Sequence, residues 1–474
     1  MGLKIPADAR RLYEDWFNAR GAEARGGVAG TPSEFAAVSV DALTFFRMVA
    51  PSKATTTVDQ LCYRLFSEIK RLVKPGGEVY VFFDTQVNMP MQREAVAYAR
   101  NPPATPAELK KARSDPTDSR VEVNGRLFKR GLEPMTAAEL DELDLNRPFL
   151  FPRAMNSRAG KERVWGLLEE QILVHFAQDL TEFPLRVVVD GSRTGPRAVA
   201  ELVRDGGAGS DAVVRVTWGP RKIAFGEADQ KAAHAIAFLP RAIPGPAVVL
   251  TVDTDMLAQM LCIAARRPPE LRDAYIGFFP HSTLKCREIR YIDTIGLPVD
   301  GSGSSIALLM ALGGTDYSVS LAGAGLSPAV AIDRGISRLR PALTVNSDGL
   351  FATVDAEGVV AALRQAATGK NPRDVFSFDR EHGCFISKPA AVAEAARLGI
   401  DGPVRKRKRL LDDFHADLQP ILWLLSYWSF VGIDKTPAAP DAVSPTARLF
   451  DCSTQVTQFL RPGPVHGAAN LRIA

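Results

Sequence analysis

The fold is decided by a short apolar run that ends in two aspartates, AVVLTVDTD at residues 247–255. Its β-branched residues and the turn residues around it are typical of a buried strand in a parallel sheet. Two earlier runs have the same character and also end in aspartate, VSVD at residues 38–41 and VYVFFD at residues 79–84. A fourth run, ALLMALGGTD at residues 307–316, ends in the same way, although it also continues a helical pattern, SSIALLMALGG, from residue 304. Acidic strand ends therefore recur along the chain.

Acidic residues in five short motifs are predicted to share one pocket. Ligands of open α/β sheets collect at the carboxyl ends of the strands, so acids placed there would face one another. Several carboxylates cannot all stay ionised in one cleft unless divalent cations neutralise them. The pattern predicts a metal site formed by seven carboxylates: Asp41, Asp84, Glu227, Asp229, Asp253, Asp255 and Asp316.

Helical patterns alternate with the strand-like runs, notably at residues 58–73, 226–239 and 256–266. This alternation predicts an α/β class with a mainly parallel central sheet flanked by helices. Residues 101–160 are rich in Pro, Arg, Asp and Asn, which favours an exposed insertion. The predicted organisation is an N-terminal part at 1–100, an inserted subdomain at 101–212, an internal part at 213–345 and a helical C-terminal extension at 346–474.

Composition narrows the functional classes. The chain has 474 residues, 46% apolar and 24% charged, which is typical of a soluble globular protein. No apolar run reaches the roughly 18 residues of a membrane span, and the first residues lack the apolar core of a secretory signal. Five isolated cysteines and six scattered histidines indicate neither a disulfide framework nor a zinc site. We therefore expect an intracellular protein whose chemistry depends on its acids.

The charge distribution points to an anionic partner. The net charge is only +4, but a strongly acidic pocket would leave the remaining surface distinctly basic. Basic residues cluster at 110–113, 126–130 and 334–340, and RKRKR occupies residues 405–409. Such runs are usually solvated faces or targeting signals, and for RKRKR nuclear import is the preferred functional interpretation.

The acidic blocks also carry a family resemblance. The blocks GEADQ, TVDTD, GGTDY and AGAGLSP follow one another in the order found in the flap endonuclease and XPG family of structure-specific nucleases. The N-terminal blocks MGLK, VSVDALTFF and VYVFFDTQ also resemble that family. The resemblance covers roughly residues 1–100 and 213–340, and it implies a PIN-like fold and a two-metal nuclease.

The resemblance also implies how the acids divide between two Mg²⁺ ions, for which Mn²⁺ could substitute. Carboxylates without His or Cys suit these hard cations, and two ions about 4 Å apart can support both the attacking and the leaving oxygen. The ion nearer the attacking water would be held by Asp41, Asp84, Glu227 and Asp229. The second ion would be held by Asp253, Asp255 and Asp316, mostly through water.

Further roles are implied for basic and glycine residues. Arg93 and Arg100 match the spacing of the family's two phosphate-gripping cations, with Arg93 in place of Lys, and a guanidinium suits that role. With Asp84 and Asp255 they form the expected catalytic set. Backbone contacts to nucleic acid are implied for Gly2, Gly323 and Gly325.

The expected partner is DNA with a flap, nick or branch, and RNA is an alternative. Three departures from the family pattern bear on this. Asp229 is shorter than the family's glutamate, VFFDTQ lacks the usual DGK, and the stretch between Asp84 and Glu227 exceeds the usual arch region. The long insertion keeps an RNA endonuclease of the viral host-shutoff type open. A catalytically silent nucleic-acid-binding scaffold of the same fold is a third alternative, which the retention of all seven acids disfavours. No sliding-clamp-binding box is recognisable.

Overall fold

The computed structural model describes most of the chain up to residue 297 and a few short segments beyond it. The described residues are 7–27, 30–51, 53–84, 104–115, 117–178, 186–192, 197–205, 213–219, 228–253, 255–265, 269–279, 289–297, 307, 310, 343–345, 351–353, 376–379 and 384–387.

An eight-stranded sheet forms the centre of the described structure, and five neighbouring strands in it are parallel. Antiparallel strands extend both edges. The strands are β1 (Phe35–Asp41), β2 (Val73–Phe82), β5 (Arg186–Asp190), β6 (Val199–Asp205), β7 (Val213–Gly219), β8 (Ala247–Thr251), β9 (Ala274–Phe278) and β10 (Arg290–Asp293). Their order across the sheet is β10-β9-β8-β1-β2-β5-β6-β7. Separate hairpins are formed by β3 (Arg120–Val123) with β4 (Arg126–Lys129), β11 (Leu343–Val345) with β12 (Phe351–Thr353), and β13 (Phe376–Asp379) with β14 (Cys384–Ser387).

The order in which successive strands are added to the sheet reverses between β1 and β8, although these two strands are parallel. From β1 it proceeds outward through β2 to β5, then returns to the other side of β1 as β8 and continues to β9. In open α/β sheets such a reversal leaves a crevice at the carboxyl ends of the two strands. The register brings the strand ends level, because Asp41 lies beside Phe82, and Phe82 lies beside Asp190. The fold therefore offers one edge on which residues from several strands can meet.

Helices cover both faces of the sheet. They are α1 (Ala7–Ala24), α2 (Ala42–Val49), α3 (Val58–Leu72), α4 (Pro106–Ser114), α5 (Ala137–Asp141), α6 (Phe151–Met155), α7 (Arg158–Gln178), α8 (Ala228–Phe238) and α9 (Asp255–Ala264). The alternate residues of β1 and β2, including Val38, Val40, Val79 and Val81, share one apolar cluster with α2, α3 and α7. Helix α8 contacts β1, β2 and β8 but contributes nothing to that cluster, so it covers the opposite face.

Helix α3 shows how the local sequence fixes an element that supports the sheet. Its apolar residues recur at helical spacing, and Leu61, Leu65 and Ile69 are fully buried. Thr57 begins the helix with a capping box, in which its side chain accepts from the Gln60 amide and the Gln60 side chain accepts from the Thr57 amide.

Thr57→Ala should destabilise the protein by about 1 kcal/mol, because the first turn of α3 loses its capping acceptor. The measurement is the free energy of unfolding in urea. Thr55→Ala is the matched control, since Thr55 is exposed and precedes the cap. Equal stabilities of the two variants would show that the capping box does not contribute.

The mainly parallel α/β class predicted from the sequence is confirmed, as are helical segments within the predicted stretches 58–73, 226–239 and 256–266. Strands β5 and β6 come from the 101–212 stretch yet belong to the same sheet as β1 and β2. The strand interpretation of the run before Asp316 is wrong at the two positions described, because Ala307 and Met310 are helical. Its Ala, Leu and Met content explains this, since these residues favour helices. Every helix in the described ranges is too short or too polar to cross a bilayer.

Candidate active site at the carboxyl edge of the sheet

Four of the predicted aspartates lie on elements that meet at the carboxyl edge of the sheet. Asp41 is the last residue of β1, and Asp84 and Asp253 each follow the end of a strand by two residues, β2 and β8 respectively. Asp229 lies in the first turn of α8, where a carboxylate complements the helix dipole. The edge at the β1–β8 reversal is therefore acidic.

Asp41 has a local structural role as well. It is the N-cap of α2, and its Oδ1 accepts from the Thr44 amide at 3.1 Å while its Oδ2 accepts from the Thr44 hydroxyl. Capping alone does not require burial, yet Asp41 is almost fully enclosed, with 9% of its surface exposed. The cap therefore fixes the orientation of a carboxylate that is held inside the site.

Asp84 joins β2 to the start of α8. Its Oδ1 accepts a hydrogen bond of 3.0 Å from the amide of Ala228, although the two residues are far apart in sequence. Ala228 precedes Asp229, so this bond fixes the two carboxylates relative to each other. Asp229 is held in turn by Gln259 of α9, whose Nε2 donates to its Oδ2 at 2.6 Å.

The charges of the other acids act directly on Asp229. Burial is the largest cause, followed in order by the negative charges of Asp253, Asp41 and Asp84, and together they raise the pKa of Asp229 to about 7. A carboxyl responds in this way only when like charges are nearby and water is largely excluded. The four aspartates thus form one electrostatic group, which we call the acidic edge (Asp41, Asp84, Asp229 and Asp253).

Asp255 lies beside this group. It is the first residue of α9, it is buried, and its amide donates to Asp253 Oδ1 at 3.2 Å. Asp253 is positioned further by Thr251, whose hydroxyl oxygen accepts from the Asp253 amide at 2.9 Å. The D-x-D spacing therefore places a partly exposed carboxylate and a buried one at the same strand end.

A buried ion pair that the sequence did not indicate lies next to the acidic edge. Lys231 of α8 is completely enclosed, and its Nζ lies 2.9 Å from Asp190 Oδ1 and 2.9 Å from the carbonyl oxygen of Phe83. The signal for Asp190 was present, because the run LRVVVD ends in aspartate like the other strands. Its lysine partner comes from another element and could not be identified by a local pattern.

Some predicted site residues lie outside the described ranges. Their roles remain predictions. They are Gly2, Arg93, Arg100, Glu227, Asp316, Gly323 and Gly325.

The donor set suits a hard divalent cation. Within the described residues, no three His, Cys, Asp or Glu side chains form a ready group for one ion. The charges of Asp41, Asp84 and Asp253 act on Asp229 over longer distances than direct metal coordination. The raised pKa of Asp229 is therefore compatible with the absence of such a group among the described residues. Mg²⁺ commonly keeps several waters and binds through only one or two carboxylates. The all-oxygen character of the acidic edge therefore fits Mg²⁺ or Mn²⁺ by ligand type.

Comparison with known proteins provides no assignment for this chain. No protein family matches the sequence, and no curated protein matches it.

Proposed function

We propose that this protein is a metal-dependent phosphodiester hydrolase that cuts nucleic acid at the acidic edge. The proposal is carried by the placement of Asp41, Asp84, Asp229 and Asp253 at one sheet edge, where burial and the charges of the other three raise the pKa of Asp229. Without cations such a site would repel a phosphate. Bound divalent ions would reverse the local charge, activate water and stabilise the charge that develops on the phosphoryl oxygens.

The residues of this chain would take the roles that the family resemblance implies. Asp41, Asp84 and Asp229, with Glu227, would hold the ion nearer the attacking water. Asp253 and Asp255, with Asp316, would hold the second ion. Arg93 and Arg100 would bind the scissile phosphate, and Gly2, Gly323 and Gly325 would contact the nucleic acid backbone.

A basic surface favours nucleic acid over a small phosphate ester as the substrate. Helix α4 buries none of its residues, and Lys110 and Lys111 on it are exposed. Lys129 and Arg130 are exposed at the end of the adjoining β3–β4 hairpin. These cations can contact a phosphate backbone with little desolvation, and such binding should weaken as salt is added.

We propose a structure-specific DNA endonuclease or 5′ exonuclease with a PIN-like fold, acting by two metal ions in replication or repair. Nuclear import through residues 405–409 fits that role. An RNA endonuclease remains the second candidate, because residues 101–212 exceed the family's arch region and include the basic α4 and hairpin.

Purified protein with Mg²⁺ or Mn²⁺ should cleave a 5′-labelled DNA flap or a nicked duplex, and EDTA should abolish the cleavage. The products are separated on a denaturing gel beside a single-stranded RNA substrate. Cleavage of RNA alone would select the second candidate. If all three substrates bind but stay intact with either ion, the protein is a scaffold and the hydrolase proposal fails.

A further inference from the structure

Lys231 is the most unusual buried group near the acidic edge. Its side chain has no exposed surface, and a lysine so enclosed is costly unless its charge is paired and hydrogen-bonded. Its ammonium donates to the Phe83 carbonyl oxygen at 2.9 Å and to Asp190 Oδ1 at 2.9 Å. These two acceptors belong to different strand ends.

The contact between Lys231 and Phe83 joins the two segments that carry Asp84 and Asp229. Phe83 immediately precedes Asp84, and Lys231 follows Asp229 by two residues on α8. The same two segments are joined a second time by the hydrogen bond from the Ala228 amide to Asp84. Helix α8 is therefore attached to the end of β2 at two points, and through Asp190 to the end of β5.

We propose that Lys231 is a positioning residue for the acidic edge. Its ammonium attaches the carboxyl ends of β2 and β5 to α8, and this attachment fixes Asp84 relative to Asp229. The consequence for metal binding rests on the proposed function, whereas the consequence for the Asp84–Ala228 hydrogen bond does not. Lys231 contacts no substrate in this role, since it acts through the backbone of Phe83.

The alternative is that Lys231 serves only to compensate the buried Asp190. The double variant Asp190→Leu with Lys231→Met separates the two roles. Replacing both members of a buried ion pair by apolar residues of similar size is often neutral or stabilising, so this variant should keep the fold. It nevertheless loses the contact to the Phe83 carbonyl.

The experiment uses the full chain and two measurements. In metal-free protein, hydrogen exchange of the Ala228 amide should become at least about tenfold faster in the double variant, while amides of β8 stay protected. In a titration with Mn²⁺ alone, the double variant should bind about 10- to 100-fold more weakly, which is the usual effect of removing a residue that supports metal ligands.

Arg186→Met is the matched control. Arg186 also forms ion pairs from β5, with Glu201 and with the buried Glu78, but at the opposite end of the strand from Asp190. This variant should leave both Ala228 exchange and Mn²⁺ affinity at the wild-type values. Asp190→Asn provides a milder test, because Lys231 keeps its hydrogen bond to the Phe83 carbonyl oxygen. Both measurements should therefore change by less than about threefold in this variant.

Several results would overturn the proposal. A double variant with wild-type Ala228 exchange would show that Lys231 serves only Asp190. If the double variant did not fold, acceleration of Ala228 exchange by tenfold or more in Asp190→Asn would also overturn the proposal, because the retained Lys231–Phe83 contact would then fail to fix Asp84 relative to Asp229. If the wild-type protein bound no Mn²⁺ yet the exchange result held, the proposed function would fail while the positioning role of Lys231 would stand.

Discussion

Asp84→Asn is expected to abolish metal-dependent cleavage while the fold is retained. Asparagine has nearly the same shape, and its amide oxygen can still accept the hydrogen bond from Ala228. The substitution removes one negative charge from the acidic edge, so a divalent ion would be held less strongly and placed less accurately. Loss of several kcal/mol of transition-state stabilisation corresponds to a rate at least about 10³-fold lower.

The rate should be measured on a flap or nicked duplex under single-turnover conditions, with circular dichroism to follow the fold. Asp273→Asn is the control, because Asp273 is only half-buried, with 45% of its side chain accessible, and precedes β9 at the other end of the strands. It should cleave at the wild-type rate. A cleavage rate of Asp84→Asn within threefold of wild type would exclude Asp84 from the site.

Asp229→Asn is expected to stabilise the metal-free protein at neutral pH. The pKa of Asp229 rises from its ordinary value of 3.8 to about 7 in the folded protein, so the folded state binds this proton more tightly than the unfolded state. The resulting stability is fully present below about pH 4 and is lost as the pH rises through about 7. Up to about 4 kcal/mol of this pH dependence disappears with asparagine, which does not titrate.

Chemical unfolding in EDTA from pH 4 to pH 8 measures the difference. The two stability curves should diverge as the pH rises, with the variant more stable at pH 8. Asp141→Asn, on the exposed surface of α5, should instead run parallel to wild type. Mg²⁺ should stabilise the wild-type protein at pH 8 and do so less for Asp229→Asn, because the ion binds the folded state. Parallel curves for wild type and Asp229→Asn would contradict the placement of Asp229.

The strands that carry Asp41 and Asp253 could be predicted because buried parallel strands have a local signature. The boundaries of β2 could not be predicted in the same way. A Gly-Gly pair such as Gly76-Gly77 is typical of a turn, yet β2 begins at Val73 and includes both glycines. There Gly77 lies too close to the Ala36 carbonyl oxygen to leave room for a side chain. The need for glycine at position 77 comes from the neighbouring strand β1, so it cannot be predicted from the sequence of β2 alone.

The contacts of the site were less predictable than its acids. The pairing of Lys231 with Asp190 depends on how α8 crosses the ends of β2 and β5, which no spacing rule specifies. The run before Asp316 was ambiguous for a different reason. A short apolar segment fits a buried strand or a buried helix equally well, and the helical conformation of Ala307 and Met310 decides between them.

The reversal of strand order between β1 and β8 also determines when the acidic edge can form during folding. Ala37 of β1 pairs with Ala247 of β8, so this contact closes a very long loop. Contacts of such separation incur a large loop-closure entropy and slow the folding of the chain. A nascent chain that has not yet reached β8 can form β1, β2 and β5 but lacks Asp253. The acidic edge is therefore completed only after synthesis has passed β8, and metal binding should appear with the slowest folding phase.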